Sequence, residues 1–198
     1  LRWYDQVAAG EHAVSAKVRA AQILLRQNKL DEARERLATA RANAPGEIRL
    51  LVAEAQLLRD AGRHAEAFAF LAQALEVQPD QPDILYETAL AAEKLGHVEV
   101  LERHLRRLIL LKPDSAQAYN ALGYSFADRN MRLEEAAQLI DKALSLAPDD
   151  PFILDSKGWL LFRQGKSVAA LETLQKAYAQ KADAEIAAFF THLNYTPE

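Results

Sequence analysis

The fold is decided by residues 113–148, which read PDSAQAYNALGYSFADRNMRLEEAAQLIDKALSLAP. In this stretch Leu122 and Phe126 lie four residues apart, and Ala136 and Ile140 continue at helical spacing after a polar break. Apolar residues three and four apart share one face of an α-helix. The stretch therefore predicts two amphipathic helices that fold back on each other as a hairpin.

Prolines recur at a nearly constant interval along the chain. They stand at positions 45, 79, 113 and 148, at separations of 34, 34 and 35 residues. A fixed period in this range indicates a repeat array, in which each unit contacts only its neighbours. Counted from the third residue after a proline, the repeats span 14–47, 48–81, 82–115, 116–150 and 151–184. The sequence therefore predicts one array of five full repeats over residues 1–198.

Partial units are predicted at both ends of the array. Residues 1–13 resemble the end of a preceding repeat, and residues 185–198 are predicted to form a C-terminal partial or capping helix. In the latter, Phe189 and Phe190 are expected to cover the open face of the fifth repeat, as terminal repeats must. Because the chain starts at Leu1 and contains one methionine, we expect a cut or processed amino terminus.

Small and turn-forming residues return at fixed places of each repeat. The fifteenth place holds Asn28, Gly62, Gly96, Asn130 and Gly165, and the eighth holds Ala21, Ala55, Ala89, Gly123 and Gly158. Asn and Gly tolerate the left-handed backbone that ends a helix, and small side chains let two helices approach closely. The fifteenth place is therefore predicted to be the bend of the hairpin, and the eighth the crossing of its two helices.

Helix starts are marked as well. Asp114 and Gln117 have the spacing of a capping box, Pro82 and Pro151 suit a first helical turn, and Asp150 complements the dipole of the helix that it precedes. The seventh place is less regular. It holds Glu54, Thr88 and Lys157 where the fourth repeat has Leu122, and the sequence does not indicate their partners.

Composition excludes several functional classes. The net charge of −4 offers no positive field for nucleic acid, and no apolar run is long enough for membrane insertion. With no cysteine, the chain has neither disulfides nor thiolate metal sites. No phosphate loop, nucleophile elbow or zinc-protease motif is present, so we predict no enzymatic activity and no cofactor.

The 34-residue period, the small residues at places eight, twenty and twenty-seven, and proline at place thirty-two resemble the tetratricopeptide repeat (TPR) family over residues 14–184. The departures are Leu101 and Leu108 in place of alanines, Ala182 in place of proline and one inserted residue after Asn130. The resemblance implies an all-α TPR solenoid, a right-handed superhelix of antiparallel helix pairs. In such a solenoid the first helices line a concave groove that binds peptides or segments of partner proteins.

A second resemblance concerns the location of the protein. The runs AYNALGYSFADRN, RLEEAAQLIDKAL and FILDSKGWLLFRQGK are similar to those of TPR proteins of the Gram-negative cell envelope. These include outer-membrane lipoproteins and the adaptor of a periplasmic carboxyl-terminal processing protease. This resemblance implies a bacterial protein of the periplasm or one anchored to the outer membrane, with a cytoplasmic location as the alternative.

Places two, five, nine and twelve of each first helix form one stripe, which the family resemblance directs into the groove. Aromatic and amide side chains on that stripe suit anchoring of a peptide and bonding to its backbone. The predicted contacts are Gln56, Tyr86, Asn120, Tyr124, Asp155 and Trp159. The alternative is that Tyr124 and Trp159 pack between neighbouring helices, as we expect of Phe152 and Phe162.

Other candidate sites have simpler explanations. Gln22, Gln56 and Leu90 occupy the places where a standard carboxylate clamp of this family needs asparagine, so such a clamp is not predicted. The basic residues Arg103, His104, Arg106 and Arg107 are predicted to form a solvated outward face, with an acidic protein partner as the alternative. His97 and His104 lack a third ligand in helical register, so we predict no metal site.

These observations predict a non-catalytic scaffold or adaptor that binds a protein or peptide segment in the concave groove. Two alternatives stay open. The first is a structural role, in which the array self-associates through its ends. The second is an accessory TPR domain of a larger envelope protein or enzyme.

Overall fold

The computed structural model describes residues 12–182. This part of the chain contains ten α-helices and no strand, which confirms the predicted all-α class. The helices are α1 (Ala13–Arg26), α2 (Leu30–Asn43), α3 (Ile48–Asp60), α4 (His64–Val77), α5 (Pro82–Lys94), α6 (Val98–Leu111), α7 (Ala116–Asp128), α8 (Leu133–Leu146), α9 (Pro151–Arg163) and α10 (Ser167–Gln180). The predictions for residues 1–11 and 185–198, including Phe189 and Phe190, lie outside the described residues.

The bend inside each helix pair has left-handed backbone at the fifteenth place of the repeat. The φ angles are 59° at Asn28, 73° at Gly62, 74° at Gly96, 53° at Asn130 and 77° at Gly165. Only glycine, and less readily asparagine, adopts this conformation at low cost, which explains the residue types found there. The prediction for the fifteenth place is confirmed. The insertion in the fourth repeat adds a second left-handed residue, Arg132, at 45°.

Helix starts match the sequence prediction with one correction. Pro82 and Pro151 lie in the first turns of α5 and α9, and the Asp150 carboxylate accepts hydrogen bonds from the amides of Phe152 and Ile153. The predicted capping box at Asp114 is wrong. Ser115 is the N-cap of α7, and its hydroxyl oxygen accepts from the Ala118 amide. The cap therefore falls one residue later than predicted.

The chain divides into two compact units, which meet within α6 between His104 and Leu105. In the first unit, each of α1 to α4 packs against the next helix in the chain, and α1 and α5 both pack against α3. Its core contains two clusters of alanine and leucine side chains, around Leu37 and around Leu71. The first helices of successive repeats, α1, α3 and α5, therefore lie side by side.

The second unit contains the hairpins α7–α8 and α9–α10, and α9 also packs against α7 and α8. Gly123 and Gly158 allow close approach of the two helices in each hairpin. A Cβ atom at Gly123 would lie 2.7 Å from Cγ1 of Ile140 and 3.1 Å from the carbonyl oxygen of Ala136. One at Gly158 would lie 2.5 Å from Cγ of Leu174. The prediction that the eighth place is the crossing point is confirmed for these two hairpins.

The structure also supplies partners for the irregular seventh place. The buried carboxylate of Glu54 pairs with Arg34 at 3.6 Å and Arg41 at 3.0 Å, both from α2 of the preceding repeat. Lys157 pairs with Asp141 of α8 at 2.7 Å. In these two cases the partner lies on the second helix of the preceding repeat. Among the helices of residues 12–182, none is long and apolar enough to cross a membrane.

Candidate functional site

The predicted contact residues fall into two groups, one in each unit. Gln56 of α3 and Tyr86 of α5 belong to the first unit, where these two helices are neighbours. The second unit contains the other four, with Asn120 and Tyr124 on α7 and Asp155 and Trp159 on the adjacent α9. Gln56, Tyr86, Asn120 and Tyr124 are half-buried, whereas Asp155 and Trp159 are buried.

A buried carboxylate organises the face of the first unit. Glu87 of α5 is only 5% exposed, and its two oxygens accept from different side chains of α3. Gln56 Nε2 donates to Oε1 at 2.7 Å, and Arg59 Nη1 donates to Oε2 at 2.5 Å. A buried carboxylate is tolerated only when it is paired and hydrogen-bonded. Glu87 therefore holds Gln56 and Arg59 in fixed positions on the surface of α3.

Tyr86 lies beside this cluster. Burial raises the pKa of its phenol above the ordinary value, and the negative charge of Glu87 adds to the rise while Arg59 opposes it. Like an ordinary tyrosine, Tyr86 therefore carries its phenol proton at neutral pH, so it can donate a hydrogen bond. With the guanidinium of Arg59 and the amide of Gln56, it makes this face rich in donors.

The face of the second unit has a different chemistry. Asn120 Oδ1 is buried, and it has no hydrogen-bond partner among the described residues. A buried acceptor without a donor costs about 1–3 kcal/mol relative to one that is satisfied. Asn120 is therefore an unsatisfied polar group on the stripe of first-helix residues that is predicted to bind a ligand.

Two aromatic rings of α9 pack against each other in the second unit. The rings of Trp159 and Phe162 have centroids 5.4 Å apart, and the Arg163 guanidinium lies 5.5 Å from the Trp159 ring. The expectation that Phe152 is a core residue is wrong, because its side chain is 43% exposed. Lys181 Nζ lies 4.2 Å from the centroid of the Phe152 ring. Phe152 lies at the start of α9, where the long, flexible side chain of Lys181 covers its ring in place of a neighbouring helix.

The basic residues of α6 lie on the surface. Arg103, Arg106 and Arg107 are exposed, as expected of a solvated face, and Arg106 forms an ion pair with Glu135 of α8. His104 is half-buried, and burial lowers its pKa, with a further contribution from the charge of Arg103. Within residues 12–182, no three His, Cys, Asp or Glu side chains are grouped as metal ligands would be.

Buried hydroxyl groups of the described residues are engaged within their own helices. Thr88 donates to the carbonyl of Ile84 at 2.7 Å, and Ser156 donates to that of Phe152 at 3.0 Å. The hydroxyl oxygen of Ser125 accepts from Arg129 at 2.9 Å. A nucleophilic hydroxyl would instead need a neighbouring base. These contacts satisfy the buried hydroxyl groups within the protein.

Glu87 and Arg59 were not predicted from the sequence as members of a site. A signal was present, since Glu87 follows Arg59 by 28 residues and Gln56 by 31, separations slightly shorter than the repeat. Residues separated in this way lie on adjacent first helices. A pairing at a separation of one full repeat would instead have joined Arg59 to Glu93, so the period indicates the adjacent helices but not the partner residue.

Helix pairs at a period of about 34 residues, with half-buried polar and aromatic side chains on their first helices, define an all-α class of interaction repeats. A family model described as tetratricopeptide repeat matches residues 18–82, 52–100 and 86–151. The chain belongs to the tetratricopeptide repeat family. Members of this family commonly bind protein or peptide partners.

Comparison with individual proteins agrees with this assignment. The chain is 40% identical over 186 residues to TPR repeat-containing protein PA4667 of Pseudomonas aeruginosa, a match that covers 93% of the chain and 32% of that relative. The chain thus spans about a third of the relative's length.

Two solved structures share the fold. TTC0263, a thermophilic TPR protein of Thermus thermophilus, has a TM-score of 0.75 at 18% identity, with 91% of this chain and 98% of that chain covered. YrrB, described as a TPR protein with an unusual peptide-binding site, has a TM-score of 0.60 at 19% identity, with 89% and 91% covered. At these identities the likeness concerns the all-α TPR solenoid alone.

Proposed function

We propose that this chain is a non-catalytic scaffold or adaptor that binds an extended peptide or protein segment along the first-helix faces of its units. Gln56, Tyr86, Asn120 and Tyr124 make direct contacts in this proposal, while the buried Asp155 and Trp159 form the base of the face in the second unit. The peptide-binding site attributed to the structurally similar YrrB is consistent with this use of the fold.

The observation that carries the proposal is the unsatisfied amide oxygen of Asn120. Its place in the repeat is the fifth, where the first and second repeats have Val18 and Val52. Because Oδ1 is buried in the ligand-free chain, the side chain of the half-buried Asn120 must rotate toward the surface before a ligand can supply the missing donor. An extended peptide offers backbone N–H groups at regular spacing, and an asparagine can pair with the N–H and the C=O of one residue.

The proposed absence of catalysis is supported by the contacts of the buried polar groups, which are made within the protein. The buried hydroxyl groups bond within their own helices, and Glu54 and Glu87 are held in ion pairs. The adaptor role in a bacterial cell envelope stays a prediction from the weaker sequence resemblance. Self-association through the ends and an accessory role in a larger protein also stay predictions.

The test begins with a phage-displayed library of random peptides of about twelve residues, selected on the chain. The affinity of the best peptide is then measured by isothermal titration calorimetry for wild type and for Asn120→Val, which introduces the residue of the first two repeats. We expect binding to weaken about tenfold, the equivalent of one or two lost hydrogen bonds. The free energy of unfolding should stay equal or rise by up to about 1 kcal/mol, because an unsatisfied acceptor is removed.

Gln138→Ala is the matched control, because Gln138 is an exposed amide on the second helix α8. It should leave the affinity unchanged. The proposal fails if the library yields no binding peptide, or if Asn120→Val and Gln138→Ala bind the selected peptide equally well.

A further inference from the structure

Positive charge on the first helices of the first unit is concentrated on α1, in a chain whose net charge is −4. We define the Arg59 face as Arg19, Gln22 and Arg26 of α1, Gln56 and Arg59 of α3, and Tyr86 of α5. Helix α1, which packs against α3, contains three basic residues and no acidic one. By contrast, α3 has two basic and two acidic residues, and α5 has one basic and three acidic residues.

Arg59 is the best-positioned donor of this face. Its Nη1 is fixed on Glu87, and its side chain is still 22% exposed. Among the described residues, no other partner takes the Nε and Nη2 donors of Arg59. A guanidinium has five N–H donors in a rigid plane, so one fixed edge leaves another edge for a second carboxylate. Because Glu87 restrains the side chain, less conformational entropy is lost when a ligand binds.

Helix α1 extends the same chemistry. Arg19, Gln22 and Arg26 are exposed and lie three and four residues apart, which places them on one face of the helix. Arg19 Nη1 donates to Oε1 of Gln22 at 3.2 Å. This contact engages the acceptor of the glutamine and leaves its NH₂ group as the remaining donor. Both α1 and α3 therefore present guanidinium and amide donors together.

Two of the five acidic residues of these three helices are engaged by basic or amide side chains of the first unit. Glu54 is engaged by Arg34 and Arg41 of α2, and Glu87 is engaged by Arg59 and Gln56. The remaining acidic residues are Asp60 at the end of α3, Asp83 in the first turn of α5 and Glu93 in its last turn. Asp60 has the same place in its repeat as Arg26, and Glu93, whose charge acts on Tyr86, has the same place as Arg59, so the positive charge of the face lies mainly on α1 and on Arg59.

We propose that the Arg59 face binds the carboxylate side chains of aspartate or glutamate residues within an extended partner segment. The inference rests on the proposed function, to which it adds the chemistry of the ligand. It differs from the carboxylate clamp that the sequence rules out, because it uses guanidinium and glutamine donors and needs no free carboxyl terminus. Charge-assisted hydrogen bonds from arginine to carboxylate would provide both affinity and selectivity.

The same phage library tests the inference, because displayed peptides fused at their carboxyl ends offer only side-chain carboxylates. We expect the selected peptides to be enriched in aspartate and glutamate over the unselected library. Arg59→Gln should weaken the best peptide about tenfold, and replacing the peptide's acidic residues by amides should abolish that difference between wild type and variant. Raising the salt from about 50 to about 500 mM should weaken wild-type binding more than binding by the variant.

Two further variants make the result decisive. Arg63→Gln removes the same charge at an exposed arginine that pairs with Glu66 outside the first helices, and it should leave the affinity within about twofold of wild type. Arg59→Gln also leaves the buried carboxylate of Glu87 without its cation. The double variant Arg19→Gln with Arg26→Gln is therefore a second test, because it removes positive charge from the Arg59 face and leaves the buried ion pairs intact. It should also weaken binding several-fold.

The failure of this inference is distinguishable from failure of the proposed function. Selected peptides that lose affinity with Asn120→Val, but show no acidic enrichment and no response to the arginine variants, would overturn the inference alone. A library that yields no binding peptide would overturn both.

Discussion

The two units of the chain hold neighbouring helices together by different means. In the first unit, buried carboxylates of first helices pair with arginines of adjacent helices, as Glu54 does with Arg34 and Arg41 and Glu87 with Arg59. In the second unit, glycines allow close packing within each hairpin, and Trp159 and Phe162 form an aromatic pair on α9. One repeat period therefore accommodates two kinds of packing.

The surfaces of the first helices also differ between the two units. The first unit presents guanidinium and amide donors that a buried acid holds in place, with the phenol of Tyr86 beside them, whereas the second contains a buried amide oxygen without a partner among the described residues and an aromatic pair on α9. The small residues and turns that define the fold are shared by both units. What differs is the set of residues between those positions, and in the proposed function these residues determine which ligand each unit binds.

The largest expected effect concerns the charge pairs of the first unit. Arg34→Ala combined with Arg41→Ala leaves the buried Glu54 without a cation, and we expect the free energy of unfolding to fall by about 3–5 kcal/mol. Adding Glu54→Leu should restore more than half of that loss, because it introduces the residue type found at the same place in the second unit, Leu122. Urea unfolding followed by circular dichroism measures both. A triple variant no more stable than the double would contradict this assignment.

The next effect concerns the close helix crossings of the second unit. Gly123→Ala places a methyl group against Ile140 and the carbonyl of Ala136, and we expect a net loss of about 1–2 kcal/mol despite the higher helix propensity of alanine. In the first unit the eighth place already holds alanine, as in the fully buried Ala89. Thermal and urea unfolding measure the loss. A gain of about 1 kcal/mol, the propensity difference alone, would show that the crossing is not tight.

A smaller effect is expected at the thirteenth place. Arg163 donates to the carbonyl oxygens of Ala127 and Asp128 in the last turn of α7, at 3.2 and 2.9 Å. Arg163→Met removes these hydrogen bonds and should cost about 1 kcal/mol of unfolding free energy. Arg26 occupies the same place in the first repeat and is exposed, so Arg26→Met serves as the control, with a change within about 0.5 kcal/mol. Equal losses in both variants would refute the role of Arg163.

The smallest effect is expected at Lys157, which shares the seventh place with Glu54. Its side chain is 22% exposed and that of its partner Asp141 is 59% exposed, so solvent screens the pair. Lys157→Met should change the free energy of unfolding by no more than about 0.5 kcal/mol. A loss comparable to that of the arginine double variant would mean that exposure does not explain the difference between the two units.

The repeat period, the bends and the crossing points could be predicted from the sequence because each depends on one residue type at a fixed place. A glycine or asparagine at place fifteen specifies its own backbone conformation, and a small residue at place eight limits the distance between two helices. The helix cap was predicted one residue early, since Asp114 and Ser115 are both good caps and only the path of the chain distinguishes them.

The contacts between repeats could not be predicted in the same way. Whether Glu54 is buried, and by which arginines it is neutralised, depends on how α3 packs against α2. Phe152 is a large apolar residue of the type usually found in a core, but at the start of α9 its ring is only partly covered. The roles of Glu87 and Arg59 likewise depend on two helices from different repeats. Such pairs require three-dimensional adjacency, which the period suggests only approximately.

The central claim, that ligands bind to the first helices, is tested most directly by chemical-shift mapping of the isotope-labelled chain during titration with a selected acidic peptide. We expect the largest shifts in the backbone amides of α1, α3, α5, α7 and α9 and in the side-chain amide of Asn120. Shifts concentrated instead in α2, α4, α6, α8 and α10, with the Asn120 signal unchanged, would contradict the account.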